Sequence, residues 1–387
     1  MNFVYLSPNF PPNFINFSLR LKDLGVNVLG IGEGPYEELT PPLKAALREY
    51  YRIGNMHNYD ELVRALGYLT HRHGKLDRLD SHAEYWLETE ARLRTDFNIP
   101  GIKADVITKM KSKSAMKEIF RKAGVAVAQG RAVNSLEEGE AFLAEVGTPL
   151  VAKPDIGVGA AGTFKIESVQ ELRRVFKEYP SHRYFLEEFI SGKLYSFDGL
   201  VDGDGKLVFF TSHHFNQGIM ETVNTDDHMF YYSLRDIPAD LEDAGRRLIK
   251  AFHLRERFFH FEFFRTHKDG RLVALEVNMR PPGGLSTDMF NYANDIDIYK
   301  EWANVVVNNR FEASYTRPYH ACYVGRKASK NYRHSTAQIH AQLGIRLVHH
   351  EAISGVFAAA IGNYGYIVRS PEEAVVLEDA RYILELA

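Results

Sequence analysis

One cysteine, Cys322, occurs in 387 residues. It can form no internal disulfide, and a lone thiol of this kind is read as a small buried hydrophobe in a reducing compartment. Net charge is nearly absent too: 47 basic against 50 acidic residues leave −3 with histidine neutral. That removes the electrostatic footprint of a nucleic-acid binder or of a protein held to an anionic membrane. No apolar run approaches the roughly 20 residues of a membrane span. The start, Met1 to Pro8, has neither the basic region nor the long apolar core of a signal peptide, so a cytoplasmic protein is expected. Internal repeats and low-complexity segments are missing. So are a G-K-[ST] phosphate loop and a convincing Ser-His-Asp or Cys-His set. The histidines of His213-His214, His349-His350 and His71-x-His73 lack companion ligands and read as ordinary surface or core residues.

What is present is an ordinary globular composition, 45% hydrophobic and 25% charged, long enough for two or three domains. Apolar runs at 3–7 and 26–31 flank a helical stretch near 14–24. Further helical stretches at 58–73 and 84–97, with a short strand at 76–81, complete a small doubly wound α/β domain ending near Gly101. The turn 7–13 follows the first strand, where open α/β sheets bind ligands. It holds no glycine, which disfavours a dinucleotide pyrophosphate there.

From about 105 the pattern changes. It predicts a basic amphipathic helix over 109–123, stopped by Gly124, and helices over 136–146 and 169–178, the latter with Ser168 and Glu171 as a capping box. Strands are expected at 149–153 and 184–189, and a hairpin over 197–212 around the acidic turn 202–205. Helices follow at 239–253 and near 295–308, then a tail of short strands and helices from 313. The polar, aromatic segment 213–231 reads as a substrate-facing loop.

Two stretches carry chemistry. Phe258–Thr266 and Arg271–Arg280 are rich in aromatic and β-branched residues, and Lys268-Asp269-Gly270 makes a three-residue hairpin loop. Pairing His267 with Arg271 sets Glu262 opposite Glu276, and Asn278, two residues on, shares their face. Like charges facing across a ladder are destabilising unless a cation lies between them. Two carboxylates and an amide oxygen suit Mg²⁺ or Mn²⁺. The plainer alternative, an edge hairpin with its glutamates in water, is disfavoured by the many neighbouring Phe and Val residues.

The second stretch is Pro149–Lys153 followed by Gly157, Gly159 and Gly162. The glycines satisfy G-x-G-x-x-G, but Thr163–Ile166 alternates like a strand and the next helix waits for Ser168. A dinucleotide fold needs a helix inside the motif. A strand–loop–strand can instead fold over a triphosphate through its backbone N–H groups, and Lys153 would reach the phosphates as a compact point charge.

Together and in this order, these motifs resemble the ATP-grasp superfamily, in its carboxylate–amine ligase branch. Lys113, eleven residues before Gly124, is similar to that family's first phosphate-binding lysine. Lys153 with the loop 157–162 resembles its second lysine and flexible glycine loop. Leu186–Ile190 resembles the hinge of the ATP clasp, which implies adenine contact by the Glu187 side chain and by the backbone of Glu188 and Ile190. Glu262, Glu276 and Asn278 fall on the family's metal ligands, and Arg280 on its arginine beside the transferred phosphate. The implied architecture is α/β, α+β in the clasp: an N-terminal α/β domain over 1–104, a small ATP-grasp subdomain over 105–188, a large one over 189–312 and a C-terminal lobe over 313–387.

The implied activity is an ATP-dependent ligase that activates a small-molecule carboxylate as an acyl phosphate for attack by an amine. It would use ATP with Mg²⁺ (or Mn²⁺), need no protein nucleophile, and work as a homodimer, as is usual in the family. One departure is Leu194, where many members carry a ribose-contacting glutamate; Asp198 is the substitute on the same strand. Two other readings stay open. One is a bicarbonate-using carboxylase, although no biotin-carrier segment occurs. The other is a non-catalytic ATP-binding sensor, favoured only by Leu194.

Overall fold

The computed structural model describes residues 1–156, 162–179 and 183–387. The N-terminal domain is a parallel sheet of β1 (Asn2–Leu6), β2 (Asn27–Gly32), β3 (Leu47–Arg52) and β4 (Arg78–Asp80), in the order β3-β2-β1-β4. Phe3, Val4, Tyr5 and Leu6 of β1 are all buried, as expected of a strand covered on both faces. The helix Tyr59–His73 starts where the Asn58 side chain accepts from the N–H groups of Asp60 and Glu61. It buries Leu62, Ala65, Leu66 and Leu69 along one stripe.

Two elements of this domain escape the sequence reading, the helix Pro41–Ala46 and β3. The latter is a sheet edge whose charged and tyrosine side chains are only partly buried, so it lacks an apolar signature. The segments following β1, β2 and β4 contribute Phe10, Glu33 and Glu84 to the wall of a large cleft. This is the carboxyl-end position at which α/β sheets bind ligands.

The helix expected over 109–123 is two, Ala104–Lys111 and Lys113–Lys122. Ser112 between them is extended, and its hydroxyl accepts from the N–H of Ala115, so a serine N-cap starts the second helix. The next sheet is antiparallel, with β5 (Gly130–Val133), β6 (Leu150–Pro154), β7 (Phe164–Ile166) and β8 (Tyr184–Glu188) in the order β5-β8-β6-β7. The helices Leu136–Val146 and Val169–Glu178 pack on it through Phe142, Leu172 and Val175.

The third sheet has nine strands: β9 (Gly192–Val201), β10 (Leu207–Thr211), β11 (His213–Phe215), β12 (Met229–Ser233), β13 (Arg257–Thr266), β14 (Leu272–Asn278), β15 (His320–Arg326), β16 (Leu347–Ala352) and β17 (Tyr364–Ser370). Its path runs β14-β13-β9-β11-β12-β15-β17-β16, with β10 on β9. The strands after residue 313 thus continue this sheet through the β12–β15 pair. The segment 213–231 is not a loop. It holds β11, the short helix Ile219–Thr225 and the start of β12, because its two ends pair with each other and with β9. The helix expected near 295–308 is Ile298–Asn308. A separate helix, Ser286–Asn294, precedes it and ends at Asp295, whose φ of 51° stops the helical path.

The hairpin β13–β14 pairs Glu262 with Glu276, as expected, but by another route. Thr266 rather than His267 lies opposite Arg271, with its N–H donating to the Arg271 carbonyl at 3.0 Å. Four residues therefore make the turn, and Leu275 is an extra residue in β14 that restores the register. Two one-residue errors cancel.

Candidate functional site

A cleft of about 1290 Å³ opens between the three sheets. Lys113, Lys153, Glu187, Glu262, Glu276, Asn278 and Arg280 all line it, as do Glu188 and Ile190. Of the glycine loop, Gly157 and Gly159 lie outside the described residues. Gly162 has φ 71°, in the left-handed region.

The basic wall begins at the serine-capped helix. Lys113 is its first residue, and the Lys113 N–H donates to the Asp155 carbonyl at 2.8 Å. The Ser114 N–H donates to Asp155 Oδ1 at 2.8 Å, and the Ser112 and Ser114 hydroxyls reach Oδ2. Asp155 thus ties the end of β6 to the start of this helix. One turn on, Lys117 shares the face of Lys113; it is fully buried, and its Nζ donates to the Ala274 carbonyl at 3.2 Å.

On β6, Lys153 sits two residues from Val151, the partner of Glu187 on β8, so Lys153 and Glu187 share a face of the sheet. The Glu187 carboxylate meets the Lys153 ammonium on one oxygen and the Lys117 ammonium, at 3.1 Å, on the other. Burial alone would raise the Glu187 carboxyl. The two lysines outweigh it and hold the group at about 2. Burial brings Lys117 down to about 8 against the pull of Glu187. It also lowers Lys113, against the attraction of Glu276.

The acidic wall is the hairpin face. Burial raises the Glu276 carboxyl, Lys113 opposes that rise, and the facing Glu262 adds to it. His260 precedes Glu262 on the same face and donates Nε2–H to Glu262 Oε1 at 3.1 Å and Nδ1–H to Asp198 Oδ1 at 2.5 Å. Burial would lower the imidazole, but the Asp198 carboxylate overrides it and lifts His260 to about 9. Arg280 donates Nε–H to Glu84 Oε2 at 3.2 Å and Nη1–H to its neighbour's carbonyl, on Pro281, at 2.9 Å.

Asp198 does not replace the missing ribose glutamate. Its carboxylate is fully buried and is taken up by His213 (2.7 Å), His260 and Ser196 (2.5 Å). Leu194 lines the cleft as a buried apolar side chain between Phe215 and Phe264. The Glu188 side chain accepts from the Gln129 N–H at 2.8 Å, which leaves its backbone to the hinge. Lys117, Asp155, His260 and Glu84 were missed by the sequence reading. Spacing could have found Lys117, four residues after Lys113, and His260, two before Glu262 on the same strand face. Glu84 could not be found that way, because its partner lies 196 residues away. Cys322 is fully buried, as expected.

Among the described residues no group of three or more His, Cys, Asp or Glu stands together as a metal cluster. The protein offers two carboxylates and an amide, all hard oxygen donors, facing three lysines and an arginine across the cleft.

Residues 146–288 match the profile of the ATP-grasp domain family. An L-arginine-specific L-amino acid ligase of Bacillus subtilis is 25% identical over 249 residues, 60% of this chain. The chain spans 58% of that relative's length. Two solved structures share the fold over nearly the whole chain. An L-amino acid ligase from Bacillus licheniformis superposes with a TM-score of 0.77 at 14% identity, covering 99% of this chain and 96% of its own. The biotin carboxylase domain dimer of a Hydrogenobacter thermophilus 2-oxoglutarate carboxylase, in complex with MgADP, ADP and bicarbonate, superposes with a TM-score of 0.74 at 19% identity, covering 100% and 90%. The chain is an ATP-grasp protein, with the ATP-grasp fold around this cleft.

Proposed function

We propose that the protein is an ATP-dependent ligase that activates a small-molecule carboxylate as an acyl phosphate and joins it to an amine, releasing ADP and phosphate. The observation that carries this reading is the convergence of the two walls. Lys113, Lys117 and Lys153 come from one side of the cleft, and Glu262, Glu276 and Asn278 from the other. In this reading residues 105–188 and 189–312 are the two halves of the clasp, with 1–104 and 313–387 closing its ends.

Two carboxylates with an amide fit Mg²⁺, which commonly takes one or two protein carboxylates and completes its shell with phosphate oxygens and water. Bound there, the cation would neutralise charge on the triphosphate. Lys113 and Lys153 hold phosphate oxygens, with Gly157, Gly159 and Gly162 covering them. Glu187 keeps both buried lysines ordered as well as bordering the adenine end. The backbone of Glu188 and Ile190 receives the base. Arg280, held by Glu84, faces the transferring phosphoryl group, where a fixed cation lowers the barrier by stabilising developing charge. The His260 imidazolium orients Glu262, and Asp198 in turn fixes His260.

The test is ADP release against a panel of amino acids, other carboxylic acids and bicarbonate, with and without Mg²⁺. Mg²⁺-dependent turnover with a carboxylate–amine pair, abolished in Lys153→Ala and Glu276→Ala, is the expected result. Turnover with bicarbonate alone would move the protein to the carboxylase reading, and ATP binding with no acceptor in the panel would move it to a sensor. A wild type that binds no ATP in the presence of Mg²⁺ sinks the whole proposal. A homodimer and a cytoplasmic location belong to the same reading; light scattering checks the first. Among the described residues no helix is long and apolar enough to cross a membrane.

A further inference from the structure

A second cavity, of about 610 Å³, adjoins the segment 80–84. Asp80 lines this cavity, whereas His82 and Glu84 line the cleft. Its walls include apolar Ile102, Met110, Phe252 and Trp302 and two arginines, Arg94 from the N-terminal domain and Arg257 from β13. Both arginines are buried, with 2% and 7% of their surface exposed.

Arg94 donates Nε–H and Nη2–H to the Leu79 carbonyl at 3.0 and 2.6 Å. Its Nη2 also reaches Glu90 at 2.9 Å and Asp80 Oδ2 at 3.2 Å. Arg257 donates Nη2–H to the same Asp80 oxygen at 3.1 Å. In both arginines Nη1 is buried and has no hydrogen-bond partner among the described residues. Native interiors rarely leave one buried donor unpaired; here two guanidinium groups that share one carboxylate oxygen each keep one.

The charges do not balance either. Burial, with repulsion from Asp80, pushes the Glu90 carboxyl up to about 7, so near neutral pH it carries only part of a negative charge. Two full positive charges then face less than two negative ones. Glu256, the other carboxylate of the cavity, is occupied by the two-pronged pair with Arg78, whose Nη2 lies 2.7 Å from Oε2. Exposed Lys109 and Arg255 add further positive charge to the lining.

We propose that this cavity binds a small oxyanion, a carboxylate or phosphate group, on the free Nη1 donors of Arg94 and Arg257. The planar fork of arginine suits such a group, and two forks on one anion give both geometry and charge. The apolar wall accommodates a short chain attached to it.

The experiment is calorimetric titration of the full chain with inorganic phosphate and, separately, with hexanoate. Saturating Mg²⁺ and a non-hydrolysable ATP analogue fill the cleft throughout. Saturable binding of at least one anion, weakened tenfold or more in Arg257→Lys, is expected. That variant keeps a charge toward Asp80 but loses the fork. Which of the two anions binds identifies the group recognised. The proposal is overturned if neither anion saturates, if Arg257→Lys binds like the wild type, or if binding disappears when the analogue is present. Should Arg257→Lys fail to fold, the arginine side-chain ¹⁵N resonances of the wild type decide. Two guanidinium signals moving saturably with anion support the site, and none moving overturns it. The Arg257 comparison reads this cavity even if the ATP analogue itself does not bind.

Discussion

The ammonium of Lys117 stands 3.1 Å from the carboxylate of Glu187, which meets Lys153 on its other oxygen. Three buried charges, one negative between two positive, thus form one unit spanning the helix Lys113–Lys122 and the small sheet. Removing one member leaves the others short of a counter-charge in a low-dielectric setting, where breaking a buried pair typically costs about 3–5 kcal/mol. Lys117→Met, close in volume, is therefore expected to lower unfolding free energy by that order and to weaken ATP binding. Urea unfolding and a nucleotide titration measure both, and an unchanged urea midpoint would mean that the triad contributes nothing net.

Acid stability follows from the same carboxylate. Glu187 is held near 2 in the folded protein, below its ordinary value of 4.5. A carboxyl depressed by folding contributes stability that is full above its unfolded value and lost as pH falls toward the folded one. The window is therefore about pH 4.5 down to 2, and the contribution is roughly 3 kcal/mol. Glu187→Gln should flatten the stability curve over that window, read by denaturant melts at successive pH values.

Gly245 lies on the helix Ala239–Ala251 where it crosses β9, and a Cβ added there would come within 2.2 Å of the Phe197 ring. Alanine would favour the helix by about 1 kcal/mol. Forcing a fully buried ring aside typically costs about 1–3 kcal/mol. Gly245→Ala should therefore be destabilising on balance, with a lower melting temperature, although it improves local helix propensity.

His260 acts through Glu262, to which it donates a hydrogen bond at 3.1 Å. Groups that orient a metal-ligating side chain typically account for about 10–100-fold in metal affinity. His260→Gln is expected to raise the Mg²⁺ concentration needed for half-maximal nucleotide binding by a factor in that range. Binding should recover fully at saturating Mg²⁺. A variant that binds nucleotide at wild-type Mg²⁺ levels would rule this role out.

Legibility in the sequence was uneven for definable reasons. The facing pair Glu262 and Glu276 was readable because side chains alternate with period two and the arms are strongly β-forming. The turn and the bulge at Leu275 were not, since both depend on how the ladder closes on β9. The break at Ser112 was hidden because basic and apolar residues continue at helical spacing through it; only its cap, and Asp155 beyond, reveal it. Asp198 was misread because its position on a strand face was visible while His213 and His260, its partners on neighbouring strands, were not.

The sequence by itself determined the residue types and their local order. Two carboxylates and an amide share one strand face, two lysines stand at a helix start and a strand end, and a glycine loop lies between strands. These follow from backbone periodicity and capping, which act over a few residues. Only the tertiary structure decided how each charge is spent. It gave Glu187 to two lysines, used up Asp198 on two histidines, and set Glu84 on Arg280 from 196 residues away. Coulomb and desolvation energies depend on distance and burial in space, and chain order carries neither.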